Sequence, residues 1–209
     1  KMNFFQFSLL CCLTNKARAM TPIMSVSHTI GLLHPVSSPA KSIMSAIRMT
    51  RINDESFGKL EYKNNFWRGK TTIKMFGVEK EILLSVDAYE NTDFSHVQKE
   101  AFLNFIQNME NIMNKAEKHI YDYYMENYEE YREMIANKSE ADQVVPNIHS
   151  VLDLKKLVEP TELIVRRVRK NGKRRLGLLC DVSWDIENGI GIKMEDEGVE
   201  EVGYQDIVL

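Results

Sequence analysis

The sequence predicts a single α+β domain in which β-strands come first, helices lie in the middle and antiparallel strands close the chain. Short β-prone runs, separated by glycine and asparagine, open this pattern and are typical of strands joined by turns. Over Ser95–Ala136 there is neither glycine nor proline, and apolar residues recur every three or four positions, which indicates helices. Strand-like runs return after Pro160. Strands, helices and strands in separate blocks favour an α+β fold over alternating βαβ units.

The first strands are expected near residues 57–62, 70–76 and 80–87. The runs TTIKMF and EILLSV flank GVEK, so the second and third strands are expected to form a hairpin. Trp67 lies between the first two runs and is predicted to be a structural residue.

The helical segment is expected to begin at Ser95, because Ser95 and Gln98 have the spacing of a capping box. A single straight helix over Ser95–Ala136 would be about 60 Å long, which exceeds the width of a small domain. A break is therefore expected near Asn108–Asn114, where three asparagines lower the helix propensity. The two pieces are expected to fold back as a helical hairpin.

After a polar loop at residues 136–147, the sequence predicts a short helix over Ser150–Leu157, which Pro160 would stop. TELIVRRV and RRLGLLCDVSW are predicted as strands joined through Asn171-Gly172, a pair that suits a type I′ turn. Two further strands complete the antiparallel set, GIGIKMED at residues 189–196 and GYQDIVL at residues 203–209.

Trp184 is predicted to anchor the core. Alternate side chains of a strand point to the same face, which places Trp184 beside four apolar residues, Leu176, Leu178, Cys180 and Val182. Gly189 and Gly191 are predicted to form a tight turn that enters a strand, and Gly203 to mark a bend or a close backbone approach.

Residues 1–48 differ from the rest and are predicted to be a disordered, leader-like or non-native extension to a domain at residues 49–209. They contain five basic residues, no acidic residue and no sustained periodicity. Residues 1–19 have the layout of a secretory signal, with the apolar stretch Phe4–Leu13 before a small-x-small cleavage site. An acid-poor transit peptide is a second interpretation. The favoured interpretation is translated sequence upstream of a start at Met49.

The composition is that of a globular protein from a reducing compartment, with 44% hydrophobic and 27% charged residues. Cys11 and Cys12 are adjacent and Cys180 stands alone, so the sequence contains no disulfide framework and no Cys/His metal spacing. This favours a cytoplasmic location, with secretion as the alternative if residues 1–19 are a genuine signal. No segment is apolar and long enough to span a bilayer, and no cofactor is expected.

The distribution of charge favours a protein partner over nucleic acid. Five of the 27 basic residues and none of the 30 acidic residues lie in residues 1–48, which leaves 22 bases against 30 acids, a net charge of −8, in the rest of the chain. An acidic body repels phosphate backbones and attracts cationic partners. The oligomeric state is left open.

Two surfaces are candidate interfaces. The acidic residues near the end of the chain are expected to lie at a turn between strands, where they would attract a basic protein partner. Four tyrosines in YDYYMENYEEY share one helical face, which suits either an interface or the edge of a core. The candidate residues are Tyr121, Tyr124, Tyr128, Tyr131, Glu195, Asp196, Glu197, Glu200 and Glu201.

Two other functions remain as alternatives to binding a protein. The run Arg166–Arg175 contains seven bases, but it lacks the stacking aromatic residues that single-stranded nucleic acid requires, so a hairpin tip paired with the acidic turns is preferred. His96, His119 and His149 have no nucleophile or acid at a telling spacing, so an enzyme would need a site assembled from dispersed residues.

The end of the chain resembles an uncharacterised bacterial family, a domain of unknown function. Its pattern is a tryptophan before a Glu-x-Gly turn, a Gly-Ile strand and a closing Val-Gly-x-x-Asp strand, found here as Trp184, Glu187, Gly189, Gly191, Ile192, Val202, Gly203 and Asp206. An early tryptophan, Trp67, and a central helix with Gln98 extend the resemblance over most of residues 57–209. Such proteins are suspected immunity proteins of bacterial toxin systems, so the resemblance implies a non-enzymatic binding protein and supplies no catalytic residues.

Overall fold

In residues 50–208, the part of the chain that the computed structural model describes, eight strands form one sheet whose spatial order is their order in the chain. Neighbouring strands are antiparallel except for the fourth and fifth, which run parallel. The strands are β1 Arg51–Asp54, β2 Gly58–Lys63, β3 Phe66–Met75, β4 Val78–Val86, β5 Val158–Val165, β6 Arg175–Val182, β7 Ile190–Glu195 and β8 Gly198–Gly203.

The helices lie between β4 and β5, so the predicted α+β fold is confirmed. They are α1 His96–Gln107, α2 Met109–Glu133 and α3 Lys138–Val144, followed by a 3-10 segment at Val151–Lys156. A second 3-10 segment, Gln205–Val208, follows β8.

The break in the central helical segment is confirmed, and it lies at Asn108. The predicted capping box is also present, since Ser95 Oγ accepts from the Gln98 backbone and Gln98 Oε1 accepts from the Ser95 N–H. One residue separates α1 from α2, whereas helical hairpins need a connection of about two to five residues. The backbone hydrogen bonds Asn108 N to Asn104 O and Ile112 N to Asn108 O continue across the junction. The two helices therefore meet at a bend instead of forming the expected hairpin.

Three hairpins have two-residue turns in which both central residues have positive φ, the hallmark of type I′ turns. They are Asn64–Asn65 at 53° and 65°, Phe76–Gly77 at 48° and 74°, and Asp196–Glu197 at 47° and 63°. The hairpin expected around GVEK therefore exists, but its turn lies one residue earlier, and Val78 begins β4. Phe76 is a bulky residue in a strained conformation, and its backbone N–H donates to the buried Glu117 carboxylate at 2.6 Å.

The core lies between one face of the sheet and the helices. Buried side chains alternate with more exposed ones in the second half of β3, so this strand offers one apolar face to the core, whereas β6 is buried at every position from Leu176 to Cys180. Trp67 is 2% exposed and donates its indole N–H to Tyr89 O at 3.3 Å. Trp184 is 7% exposed and lies in the same core, just after β6.

The C-terminal 3-10 segment packs on β6 and β7, where glycines make room for it. A Cβ atom on Gly177 would lie 2.6 Å from Val208 Cβ, and one on Gly191 would lie 3.1 Å from Tyr204 O. Gly189 has a φ of +55°, and a Cβ there would lie 2.7 Å from Cys180 O. At Gly203 the nearest contact would be an ordinary 3.4 Å. The expectation of a strand at residues 203–209 is wrong, because the chain turns at Gly203 to cover these glycines.

Three predictions between α2 and β6 need correction. The expected polar loop contains α3, whose N-terminal amides at Ser139 and Glu140 are capped by the Asn137 side chain. Pro160 lies inside β5, at a shift in register with β6 that accommodates its missing N–H. The link between β5 and β6 is a longer loop in which only Gly172 has a positive φ, so it is not a type I′ turn at Asn171-Gly172.

Candidate protein-binding surface

The acidic turn between β7 and β8 is neutralised within the molecule. Glu195 Oε2 accepts from Lys173 Nζ at 2.8 Å, and Glu197 binds Arg174 through two parallel hydrogen bonds of 2.7 and 2.8 Å. Asp196 Oδ1 also accepts from the Arg174 backbone N–H at 3.0 Å. The hydrogen bond from Lys173 lowers the pKa of Glu195, and that from Arg174 lowers the pKa of Glu197. These three carboxylates therefore hold the β5–β6 loop against the β7–β8 turn.

Glu200 and Glu201, the other two acidic candidates, lie on β8 and not in a turn. The register between β7 and β8 shifts between Lys193 and Met194, which leaves Glu200 as the extra residue of a bulge. Glu201 lies 3.9 Å from Lys193 Nζ and is exposed. Charged residues and bulges at an edge strand oppose pairing with other sheets.

The basic run on the β5–β6 loop is paired in the same way. Arg166 and Arg167 lie 3.7 and 2.6 Å from the Asp87 carboxylate, and the Arg167 guanidinium stacks 4.1 Å from the Tyr89 ring centroid. Arg175 lies 3.8 Å from Glu195. Arg169 and Lys170 are the bases of this loop that are exposed. The preferred interpretation of the basic run, a tip paired with the acidic turns, is confirmed for Lys173, Arg174 and Arg175.

Two of the four candidate tyrosines belong to the core. Tyr124 is 0% and Tyr131 is 6% exposed. The Tyr124 ring meets Trp184 edge-on at 4.7 Å, and its hydroxyl donates to Pro146 O at 2.6 Å. Burial raises the pKa of both tyrosines. Tyr121 and Tyr128 are half-buried, so the tyrosine face of α2 is mainly a packing surface.

A different aromatic cluster reaches the surface where β6 and β8 end. Tyr123 and Tyr131 hydroxyls are 3.1 Å apart, and burial raises the pKa of Tyr123, with smaller electrostatic contributions from Tyr204 and Asp185. Tyr204 is 48% exposed, and Ile186, next to Asp185, is 85% exposed. Tyr123 is not a candidate in the sequence because it lies off the apolar stripe of α2, and Tyr204 is not one because the sequence predicts a strand at residues 203–209.

The C-terminal half of α2 is the acidic surface that remains unpaired. Its five exposed carboxylates have no basic partner within 4 Å among residues 50–208. Helix C-termini carry a partial negative charge, so acidic residues there are unfavourable for the helix itself. Arg132, the basic residue of the last turn, is engaged by Asp142 at 2.6 Å and by Val145 O at 2.8 Å. We call this the acidic half of α2, and its carboxylates are Asp122, Glu126, Glu129, Glu130 and Glu133.

The described residues beside this surface contain no metal-binding group and no reactive cysteine. Groups of three or more side chains that could hold a metal ion are absent from residues 50–208. Cys180 is fully buried, and burial raises the pKa of its thiol, so the thiolate that a nucleophile needs is disfavoured. The helices within residues 50–208 are all too short or too polar to cross a membrane.

The fold and the surface together define an α+β domain with an acidic helix beside an exposed aromatic and apolar cluster. Residues 56–209 match the model of a domain of unknown function (DUF6985), and the chain belongs to this family. No curated protein and no solved structure matches the chain.

Proposed function

We propose that this protein is a non-enzymatic binding protein whose partner is a cationic protein segment. The observation that supports this most directly is the acidic half of α2, whose five carboxylates have no basic partner within residues 50–208. Two of them, Glu130 and Glu133, lie in the last turn, where acidic residues are unfavourable for the helix. Residues that weaken an element without any internal compensation are often kept for function.

The exposed aromatic and apolar cluster supplies the second requirement of a protein interface. Charge complementarity speeds association and selects the partner, whereas buried aromatic and apolar residues supply most of the binding energy. Ile186 and Tyr204 are exposed, and Tyr123, on the acidic half of α2, is close enough to Tyr204 and Asp185 for their charges to affect its pKa. The cluster can therefore be covered by a partner that the carboxylates attract.

A toxin-immunity role is the finer form of this proposal. Any toxin that binds nucleic acid needs a cationic surface to neutralise phosphates, and a protein that blocks this surface needs an acidic one. The acidic half of α2 meets that requirement, and the neutralised β7–β8 turn does not.

The test is site-specific photocrosslinking in the native cell, with a photoreactive residue at Ile186. In the test variant, Glu126, Glu129 and Glu133 are changed to Gln. In the matched control, Glu55→Gln, Glu79→Gln and Asp181→Asn remove the same charge from other exposed positions.

We expect a crosslinked protein that is basic, that is lost in the α2 variant and retained in the control, and whose yield falls with added salt. The same crosslinks in both variants, or an acidic partner, would contradict the proposal. Purified partner and stopped-flow association would then show whether the α2 variant mainly slows association, as expected for peripheral charges.

A further inference from the structure

The face of β1, β2 and β3 that points away from the core is basic, although the chain after residue 48 has a net charge of −8. Paired residues of neighbouring strands share a face, and so do alternate residues along each strand. This face carries six basic side chains and one acidic side chain, that of Glu61. The basic residues of this basic face are Arg51, Lys59, Lys63, Arg68, Lys70 and Lys74.

Two neighbouring cavities open on the basic face, and both are lined by Arg68 and Glu61. The lining of the first, of about 460 Å³, includes Lys63, and that of the second, of about 350 Å³, includes Lys59. Both volumes lie in the range of small-ligand sites. Glu61 lies 3.3 Å from Arg51, whereas Lys59 and Lys63 have no carboxylate within 4 Å among residues 50–208.

The guanidinium of Arg68 makes no hydrogen bond within residues 50–208, although its side chain is only 28% exposed. The nearest carboxylate oxygen, Glu162 Oε1, is 3.8 Å from the guanidinium, which is too long for a hydrogen bond. The Phe66 ring centroid is 5.7 Å away. Charged donors in partly buried positions are normally hydrogen bonded, so Arg68 lacks an acceptor.

Ser85 is a second donor without an acceptor, directly beside Arg68. It is 0% exposed, and its hydroxyl has no partner within residues 50–208. Arg68 and Ser85 are paired across β3 and β4, and Ser85 lies two residues after Leu83, which lines the first cavity. Side chains paired in this way have Cβ atoms about 5 Å apart, so one acceptor group can reach both. Arg68 Nε and Ser85 Oγ are covered, so the Arg68 side chain, which no hydrogen bond holds, has to turn toward that acceptor.

We propose that this site binds the phosphate group of a small ligand, held by Arg68, Ser85 and Lys63. The other bases that line the cavities each have a carboxylate nearby, so Lys59 and Lys63 supply the uncompensated charge. Two positive charges match a phosphate monoester, which carries a charge of about −2 at neutral pH, better than they match a carboxylate.

The charge of the whole molecule favours a small ligand over nucleic acid. The acidic surface outside the basic face acts weakly on a single phosphate, because salt screens charges beyond about 8 Å. A nucleic acid would extend beyond the basic face and meet that surface. No residue of α2 lines either cavity, so this proposal and that of a cationic protein partner fail separately.

The test is a titration of the full chain with inorganic phosphate at constant ionic strength, followed in ¹H–¹⁵N spectra through Arg68 Nε–H and the amide of Ser85. The test variants are Ser85→Ala and Lys63→Gln. Lys74→Gln is the matched control, since Lys74 is exposed on the same face and lines neither cavity. Ser85→Ala loses no hydrogen bond in the free protein, so its melting temperature should stay the same or rise.

We expect saturable shifts in the native protein and in Lys74→Gln, with a dissociation constant about tenfold higher in Ser85→Ala and in Lys63→Gln. Acetate should bind more weakly than phosphate. A sugar phosphate that binds more tightly than inorganic phosphate identifies a phosphorylated metabolite as the ligand, and equal binding identifies free phosphate. An equal loss of affinity in Lys63→Gln and Lys74→Gln, which indicates an adventitious ion only, would overturn the proposal. So would unchanged affinity or a lower melting temperature in Ser85→Ala, or tighter binding of a single-stranded oligonucleotide than of the sugar phosphate.

Discussion

Replacing the two tryptophans by phenylalanine should have unequal effects, because only one of the indole N–H groups is hydrogen bonded. Both rings are buried, but Trp67 donates to Tyr89 O, whereas Trp184 Nε1 is buried and has no partner within the described residues. A buried tryptophan covers roughly 200 Å², which at about 25 cal/mol per Å² is worth about 5 kcal/mol. Trp184→Ala should therefore cost about 3–5 kcal/mol.

Trp184→Phe should be tolerated much better than Trp184→Ala. It keeps a ring against Tyr124 and removes a buried donor that has no partner, so it loses apolar area and no hydrogen bond. Trp67→Phe loses a bond worth about 1 kcal/mol in addition to area, and should cost about that much more than Trp184→Phe.

Urea unfolding of the three variants measures these differences, and fluorescence of Trp67→Phe reports on Trp184 alone. Emission from Trp184 should be blue-shifted. Emission typical of an indole in water, or a larger loss of stability in Trp184→Phe than in Trp67→Phe, would refute the reasoning.

Three further predictions concern other parts of the molecule. A chain that begins at Met49 should unfold at nearly the melting temperature of the full chain, since residues 50–208 form an eight-stranded sheet with its own core; a large drop in a thermal melt would contradict this. Burial raises the pKa of Glu117, so its contribution favours folding below the unfolded pKa and is lost as the pH rises through the folded pKa. Urea melts should therefore show the stability of Glu117→Gln rising relative to the native chain from acid to neutral pH, and a constant difference would refute the assignment. Glu197→Gln should cost about 1 kcal/mol more than Glu200→Gln, because Glu197 loses its paired bonds to Arg174; equal costs in denaturant melts would show that this pair is fully screened.

The order of the elements could be predicted because it depends on patterns within single segments. The apolar stripe of Ser95–Ala136, its capping box and the break among its asparagines are local features, and the structure contains all of them. The path after the break could not be predicted, since it depends on how α1 and α2 pack on the sheet. The polar composition of this segment predicts a loop and not α3. The helix begins there because a single side chain, that of Asn137, caps its first amides.

The conformations of the turns were less predictable than their approximate positions. Asn64–Asn65 suits a type I′ turn, whereas Phe76 and Glu197 adopt positive φ against their preferences. At Phe76 the buried Glu117 carboxylate accepts the backbone N–H, and at Asp196 the Arg174 backbone and side chain hold the turn. Tertiary contacts therefore decide these two turns, and a single segment does not contain that information.

The candidate surfaces show that the density of charge in the sequence does not identify the residues that remain unpaired in the fold. In the sequence, the acidic ending and the run Arg166–Arg175 are the densest clusters of each sign; the basic run is expected to pair with the acidic turns, yet the acidic residues are also expected to attract a partner. Antiparallel pairing of β6 with β7 brings the two clusters together, so each provides the counter-charge of the other. The carboxylates of α2 are spread over three turns and are less conspicuous in the sequence. They remain unpaired within residues 50–208 because α2 presents them to solvent, and a cationic partner is proposed to neutralise them.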